Sequence, residues 1–290
     1  MMQRRPSPTD SPGDTATTVR GSLAAVYAPA LYRPVPPVEC DEDGYPFSDA
    51  RPMAEGDFHG DVLGYARSTL QAWFADRNAY ASTDKFLFLE EGNRRAAVVP
   101  DILVAFGPPG GPRQSYKHWE EGKAPDFILE VLSADNWRND VIRKPALYAD
   151  LGVREYWTFD PRGVRTDGGP PLEGWRFGAG GHRVAIPSTP DGGYLSQVLG
   201  LEICRDGRLL RFRDPESGEV LPDYLESEQM RRRAAAARQD AESRAASAEA
   251  RAASAEARAA SAEARLASEV AARRAVESRV AALERRARGQ

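Results

Sequence analysis

The chain has 290 residues, 28% of them charged, a formal net charge of -4 and two cysteines. Cys40 and Cys204 lie far apart, without a CxxC pair or a Cys/His cluster, so neither a disulfide framework nor zinc is suggested. His59, His118 and His182 are equally scattered, which gives little support to a histidine metal site or to a serine or cysteine triad.

The net charge conceals a division. Residues 231–290 hold 14 Arg and 8 acids, a balance of +6, which leaves -10 for the rest of the chain. An acidic body does not advertise broad affinity for nucleic acid, because phosphate binding relies on Lys and Arg. No run of about 18 apolar residues is present to span a membrane, and the first residues lack the apolar centre of a signal peptide. These features point to a soluble, cytoplasmic protein without a membrane partner.

In chain order, residues 1–35 are expected to be a disordered tail, since "MMQRRPSPTDSPGDTATTVR" carries few groups able to offset its ordering entropy. A Pro-rich and acidic lead-in follows. Phe58, Val62, Tyr65, Ala66, Leu70 and Trp73 then recur at helical spacings, and they predict a helix entered near Asp57. "KFLFLEEGNRRAAVVPDILVAFG" reads as a hairpin of two apolar runs around a Glu-Gly-Asn turn. A third run, Phe127 to Leu132, precedes a helix predicted from Asn139 to Asp150 and ended by Gly152, and "VREYWTFDP" resumes as a strand. Strand, helix and strand beside hairpins imply a mixed sheet flanked by helices, with short peripheral strands near Trp175–Phe177, Arg183–Ile186 and Leu209–Phe212. One domain over residues 36–225 is expected. Residues 226–290 are read as a coiled-coil helix, because "AESRAAS", "AEARAAS", "AEARAAS" and "AEARLAS" succeed one another as heptads before Val276, Val280 and Leu283. A seam made mostly of alanine would pair weakly until that Val/Leu end, and a long solvated helix is the other reading.

Glu130 sits within an apolar run that a sheet would cover on both faces, so its carboxylate must be paired, neutralised or bound to a metal. In a strand it shares a face with Ile128 and Leu132. Asp101 opens the preceding run on the face of Leu103 and Ala105. Two such acids on neighbouring strands could hold one hard cation, Mg²⁺ above all and Mn²⁺ as a substitute. Asp140, Lys144 and Tyr148, four apart, form one helical stripe that could turn toward them. Lys144 would then bring positive charge to a scissile phosphate or position an attacking water. The alternative is a buried Glu130–Lys144 ion pair with no metal.

The stretches "VVPDILVAFG", "PDFILEVLSADN", "DVIRKPALYADLGVREYWTFDP" and "LGLEI" resemble successive motifs of the Uma-two family of restriction-endonuclease-like proteins, within the PD-(D/E)xK nuclease superfamily. The likeness spans roughly Pro36 to Pro222. It implies an α/β, restriction-endonuclease-like mixed sheet flanked by helices, with Asp101 and Glu130 as metal ligands and Lys144 as the catalytic lysine. The superfamily usually sets that lysine two residues after the acid. Leu132 stands there instead, so Lys144 would serve from the following helix.

Other residues invite weaker readings. Asp84 could add an acid to the site, yet it suits a turn or strand edge better. His59 could approach the metal from the first helix, though an ordinary helical histidine is the simpler reading. Asp140 could orient Lys144 or stabilise its helix N-terminus. Tyr148, Tyr156 and Trp157 suit a core better than base stacking, and Asp126 suits a turn. The expectation is a Mg²⁺-dependent endonuclease acting on DNA, dimeric through its domain and its C-terminal helix. Its rival is an inactive nuclease-fold scaffold or DNA-associated binding module.

Overall fold

A computed structural model describes residues 22–31, 38–47, 57–108, 111–178 and 180–289. Two compact units divide between Tyr224 and Leu225. Most of the expected tail lies outside the described residues, but 22–31 are folded. A short helix α1 (Leu23–Val26) runs into a 3₁₀ turn, Ala28–Ala30. The Ala24 amide donates to Glu90 Oε1 at 2.8 Å and the Tyr27 hydroxyl donates to Asp150, which ties this segment to the body.

The predicted first helix is α2 (Asp57–Trp73), and its Val62, Tyr65, Ala66 and Leu70 enter the core. The chain continues through β1 (Ala79–Thr83), β2 (Leu87–Phe88), β3 (Ala97–Val98), β4 (Ile102–Phe106), β5 (Tyr116–Lys117) and β6 (Phe127–Val131). The hairpin read from the sequence is confined to β2 and β3, where Leu87 opposes Val98 and Phe88 opposes Ala97. Pro100, which has no N–H to give a ladder, marks the point where the second apolar run leaves that small sheet and enters the main one as β4.

After β6 a wide turn of π-helix, Asn139–Arg143, leads into α3 (Lys144–Leu151). Pro145 cannot donate to the carbonyl four residues back, and a widened turn accommodates that loss. Gly152, at φ 100°, takes the left-handed conformation that closes the helix, and its amide reaches the carbonyls of Tyr148 and Ala149. Then follow β7 (Glu155–Phe159), β8 (Leu172–Phe177), β9 (Arg183–Ala185), β10 (Tyr194–Ser196), β11 (Leu201–Asp206) and β12 (Leu209–Arg213).

The main sheet has the order β1-β4-β6-β7-β8-β9. Only β6 and β7 are parallel, joined by the π turn and α3 as a crossover, and every other neighbour is antiparallel. Strand alternation divides two cores. Phe127, Leu129 and Val131 of β6 join α2 and the β11–β12 hairpin on one face. Ile128 turns to the other face, with Leu103 and Ala105 of β4 and Leu147 and Tyr148 of α3. The last element, α4 (Tyr224–Arg288), is a 65-residue helix carrying the heptads.

Candidate active site

Glu130 belongs to the α3 face of β6 and is 1% exposed. The stripe read from the sequence meets it there. Lys144 Nζ lies 2.8 Å from Glu130 Oε1 and 2.9 Å from Asp140 Oδ1, and the Tyr148 hydroxyl donates to the same Oε1 at 2.8 Å. Asp140 also accepts from Asn136 Nδ2 at 3.4 Å, and its carbonyl accepts from the Tyr156 hydroxyl at 2.7 Å.

Asp101 stands just before β4. The antiparallel register pairs Ile102 with Leu129, which brings Asp101 beside Glu130 and Val131. Its Oδ2 accepts from the Val131 amide at 2.6 Å, while its own amide approaches Glu130 Oε2 at 3.4 Å. Its Oδ1 is turned toward His59 of α2, with Nε2 3.5 Å away. Across the other strand pair Thr83 opposes Ile102, and the Asp84 amide donates to the Asp101 carbonyl at 3.1 Å. Asp84 holds φ 48°, a left-handed conformation that Asp and Asn tolerate better than most residues. Ligand atoms of His59, Asp84 and Asp101 all lie within 4.8 Å of one another, and all three residues are partly exposed.

The electrostatics follow from burial. Desolvation pushes the Glu130 carboxyl up to about 8, with Lys144 opposing the rise and Asp101 and Asp140 adding to it. Asp140 is raised for the same first reason, again against the pull of Lys144. Burial disfavours the charged form of Lys144, but Asp140 and Glu130 outweigh it and hold the ammonium well above its ordinary value. The cluster therefore keeps its positive charge, and Glu130 and Asp140 give up their protons less readily than exposed carboxyls do.

The donor set fits a hard divalent cation. Carboxylate oxygens from Asp101 and Asp84 and an imidazole nitrogen from His59 converge at a partly open spot, and Glu130 lies immediately behind Asp101. Oxygen ligands suit Mg²⁺, and the added imidazole also suits Mn²⁺. Lys144 also lines a cleft of about 540 Å³ with Asp135, Asn136, Arg138, Asn139 and Arg143, where the donors outnumber the one acid and could meet phosphate oxygens.

Lys144 and Tyr148 thus close on Glu130, with Asp140 on Lys144, whereas the Asp101 side chain turns to the Val131 amide and His59 while its main-chain amide approaches Glu130. Tyr148, Tyr156 and Trp157 are fully buried, as a core reading requires. Asp126 is also buried; its Oδ2 accepts from the Phe106 amide at 2.8 Å and from Lys123 Nζ at 2.6 Å, which makes it a structural brace. Asp84 stands in a bend just past the edge strand β1 and His59 on α2, as their simpler readings have it, and the sequence does not show that the two approach Asp101. No local motif announces that approach, because it arises from the β1–β4 register and the docking of α2.

No curated protein matches the chain. A solved structure described as a "putative nuclease belonging to DUF820" from Anabaena variabilis is similar at 18% identity with a TM-score of 0.38, covering 51% of this chain and 76% of that one. The model of the Uma2 family, described as "Putative restriction endonuclease", matches residues 49–202, just over half of the chain. With that match across the strands and helices that carry Asp101, Glu130 and Lys144, the chain belongs to the Uma2 family of nucleases.

Proposed function

We propose that this protein is a divalent-cation-dependent endonuclease that hydrolyses DNA phosphodiester bonds. The observation that carries the reading is the convergence of Asp101, His59 and Asp84, with Glu130 Oε2 3.4 Å from the main-chain amide of Asp101. Asp101 and Glu130 would hold Mg²⁺ or Mn²⁺, with His59 and Asp84 completing the set. The ion, when bound, would polarise a phosphoryl oxygen and lower the pKa of an attacking water.

The chain's own residues do the rest. Lys144 balances the charge of Glu130 and Asp140 and supplies an ammonium that can stabilise negative charge building on a phosphate. Tyr148 fixes the rotamer of Glu130 through its hydrogen bond, and Asp140 holds Lys144 from the preceding turn. Arg138 and Arg143 offer charge to neighbouring phosphates.

Cleavage of supercoiled, linear and single-stranded DNA in Mg²⁺ or Mn²⁺ tests the reading, with Asp101→Asn and Glu130→Gln as controls. Nicking by the wild type alone supports it. Equal nicking by all three proteins would defeat it.

A second reading, an inactive nuclease-fold scaffold, is favoured by one observation: Glu130 Oε1 is already engaged by both Lys144 and Tyr148. Calorimetric titration with Mn²⁺ separates the two, since a scaffold has no reason to show a site that disappears in Asp101→Asn.

A further inference from the structure

Within the central heptads of α4 the charges are spaced wrongly for pairing within one helix. From Ala245 to Ala287 one line of positions advances by alternate steps of three and four, the a and d positions of a heptad, through Leu266, Glu269, Arg273, Val276, Val280 and Leu283. Leu266, Val276, Val280 and Leu283 are 65%, 62%, 49% and 61% exposed. The position before each a residue is Arg throughout the repeats, and the position after each d residue is Glu, so Arg251 and Arg258 precede Glu256 and Glu263 by five residues.

That interval matters. Within a helix, opposite charges support one another at three or four residues, and neither Arg251, Arg258, Glu256 nor Glu263 has an opposite charge at those distances. Toward the start of α4 the pairing does occur, as in Arg238–Glu242 at 2.8 Å and Arg232–Glu228 at 3.0 Å. A five-residue interval between g and e positions is the one that brings opposite charges together across two parallel helices. The same interval joins Arg244 to Glu249 and Arg279 to Glu284. Antiparallel pairing would instead set Glu against Glu and Arg against Arg along both flanks.

We infer that α4 docks in parallel and in register on α4 of a second copy of this chain, with Arg251 and Arg258 facing Glu256 and Glu263 of the other copy. Val280 at a and Leu283 at d favour two strands, whereas Glu269 at d and Arg273 at a meet their own counterparts across the seam and weaken it at those two layers. The alanines bury little area, so orientation comes from the flanks and much of the adhesion from the Leu/Val layers. Parallel pairing places the two copies' Tyr224 at one end. Antiparallel pairing would part them by the helix length, ~100 Å for 65 residues.

The inference stands apart from the nuclease reading, because its test reads mass rather than cleavage. In the full chain carrying Cys40→Ser, with Cys204 buried, Ala259→Cys at an a position is expected to give a disulfide-linked dimer under mild oxidation. Sedimentation should show Glu256→Arg/Glu263→Arg dissociating at least tenfold more readily, and mixing it with Arg251→Glu/Arg258→Glu should restore the dimer. Circular dichroism checks that the variants remain helical. A monomeric wild type, an Ala259→Cys dimer that never cross-links, or a mass indifferent to the charge reversals would overturn the inference.

Discussion

The Val131 amide donates to Asp101 Oδ2 at 2.6 Å, so a carboxylate at the start of one strand is locked to the register of the next. That bond leaves Oδ1 as the oxygen directed at His59. Asp101 therefore does two things, and substitution can separate them. Asp101→Asn keeps an oxygen for the Val131 amide and should unfold within about 1 kcal/mol of the wild type while losing cation binding. Asp101→Ala leaves a part-buried N–H without its acceptor and should cost a further 1–3 kcal/mol or so. Urea unfolding beside Mn²⁺ titration checks both; an Asn variant that binds Mn²⁺ normally would remove Asp101 from the ligand set.

The raised Glu130 carboxyl links proton and cation in opposite directions. Its value climbs from 4.5 to about 8, so in the metal-free protein its contribution to stability is fully present below about pH 4.5 and is lost as pH rises through about 8. Asp140 shifts in the same direction. Cation binding needs the carboxylate, so affinity should rise over the same interval with release of a proton. Melting temperature between about pH 5 and 9 in chelator is expected to fall for the wild type and to fall less for Glu130→Gln. Matching slopes would show that Glu130 is already ionised at neutral pH.

Some of this was legible in the sequence. The α2 face, the β6 run and the Asp140–Lys144–Tyr148 stripe are encoded over short distances, where helical or strand periodicity states the geometry directly. The placement of Glu130 opposite Lys144 follows from a crossover of usual form. By contrast β1, "AYAST", is short and half polar, and it carries no strong strand signal of its own. Its pairing with β4 is a tertiary fact, and so is the approach of Asp84 and His59 to Asp101. The division of the second apolar run at Pro100 was visible as a proline, but its consequence, a change of sheet, was not.

Asp84 offers the cleanest probe of the outer half of the site. Its φ of 48° is a conformation that Asn accepts readily, so Asp84→Asn removes the charge without adding backbone strain. It should weaken Mn²⁺ binding by roughly 10–100-fold, the cost typical of losing a supporting group at a metal centre, with stability nearly unchanged. His59→Ala should weaken it comparably. If both variants titrate like the wild type, the ion is held by Asp101 and Glu130 alone.

Lys144 and Tyr148 share Glu130 Oε1 but should fail differently. Lys144→Met leaves Glu130 and Asp140 buried without their cation, a disruption on the order of 3–5 kcal/mol that protonation of the acids will soften. Tyr148→Phe removes one hydrogen bond, about 1 kcal/mol, and because that bond favours the ionised carboxylate its loss should move the pH–activity profile toward alkali. A Tyr148→Phe profile that overlays the wild type would show that the hydroxyl serves packing alone.

Gly174 tests whether strain in the core beneath α2 reaches Glu130 on the other face of the sheet. It sits on β8 opposite Trp157, and a Cβ there would meet the indole at 2.4 to 2.5 Å, with a buried ring that has no space to retreat. Gly174→Ala should therefore destabilise by about 1–3 kcal/mol, as overpacking does. Trp157 belongs to the α2-side core with Phe127 and Leu129, whereas Glu130 and Tyr148 face α3. Below its melting temperature the variant should bind Mn²⁺ as tightly as the wild type, because strain on one face leaves the β4–β6 register intact. A loss of binding larger than tenfold in a folded Gly174→Ala protein would mean that the indole's position reaches Glu130 through the backbone of β7.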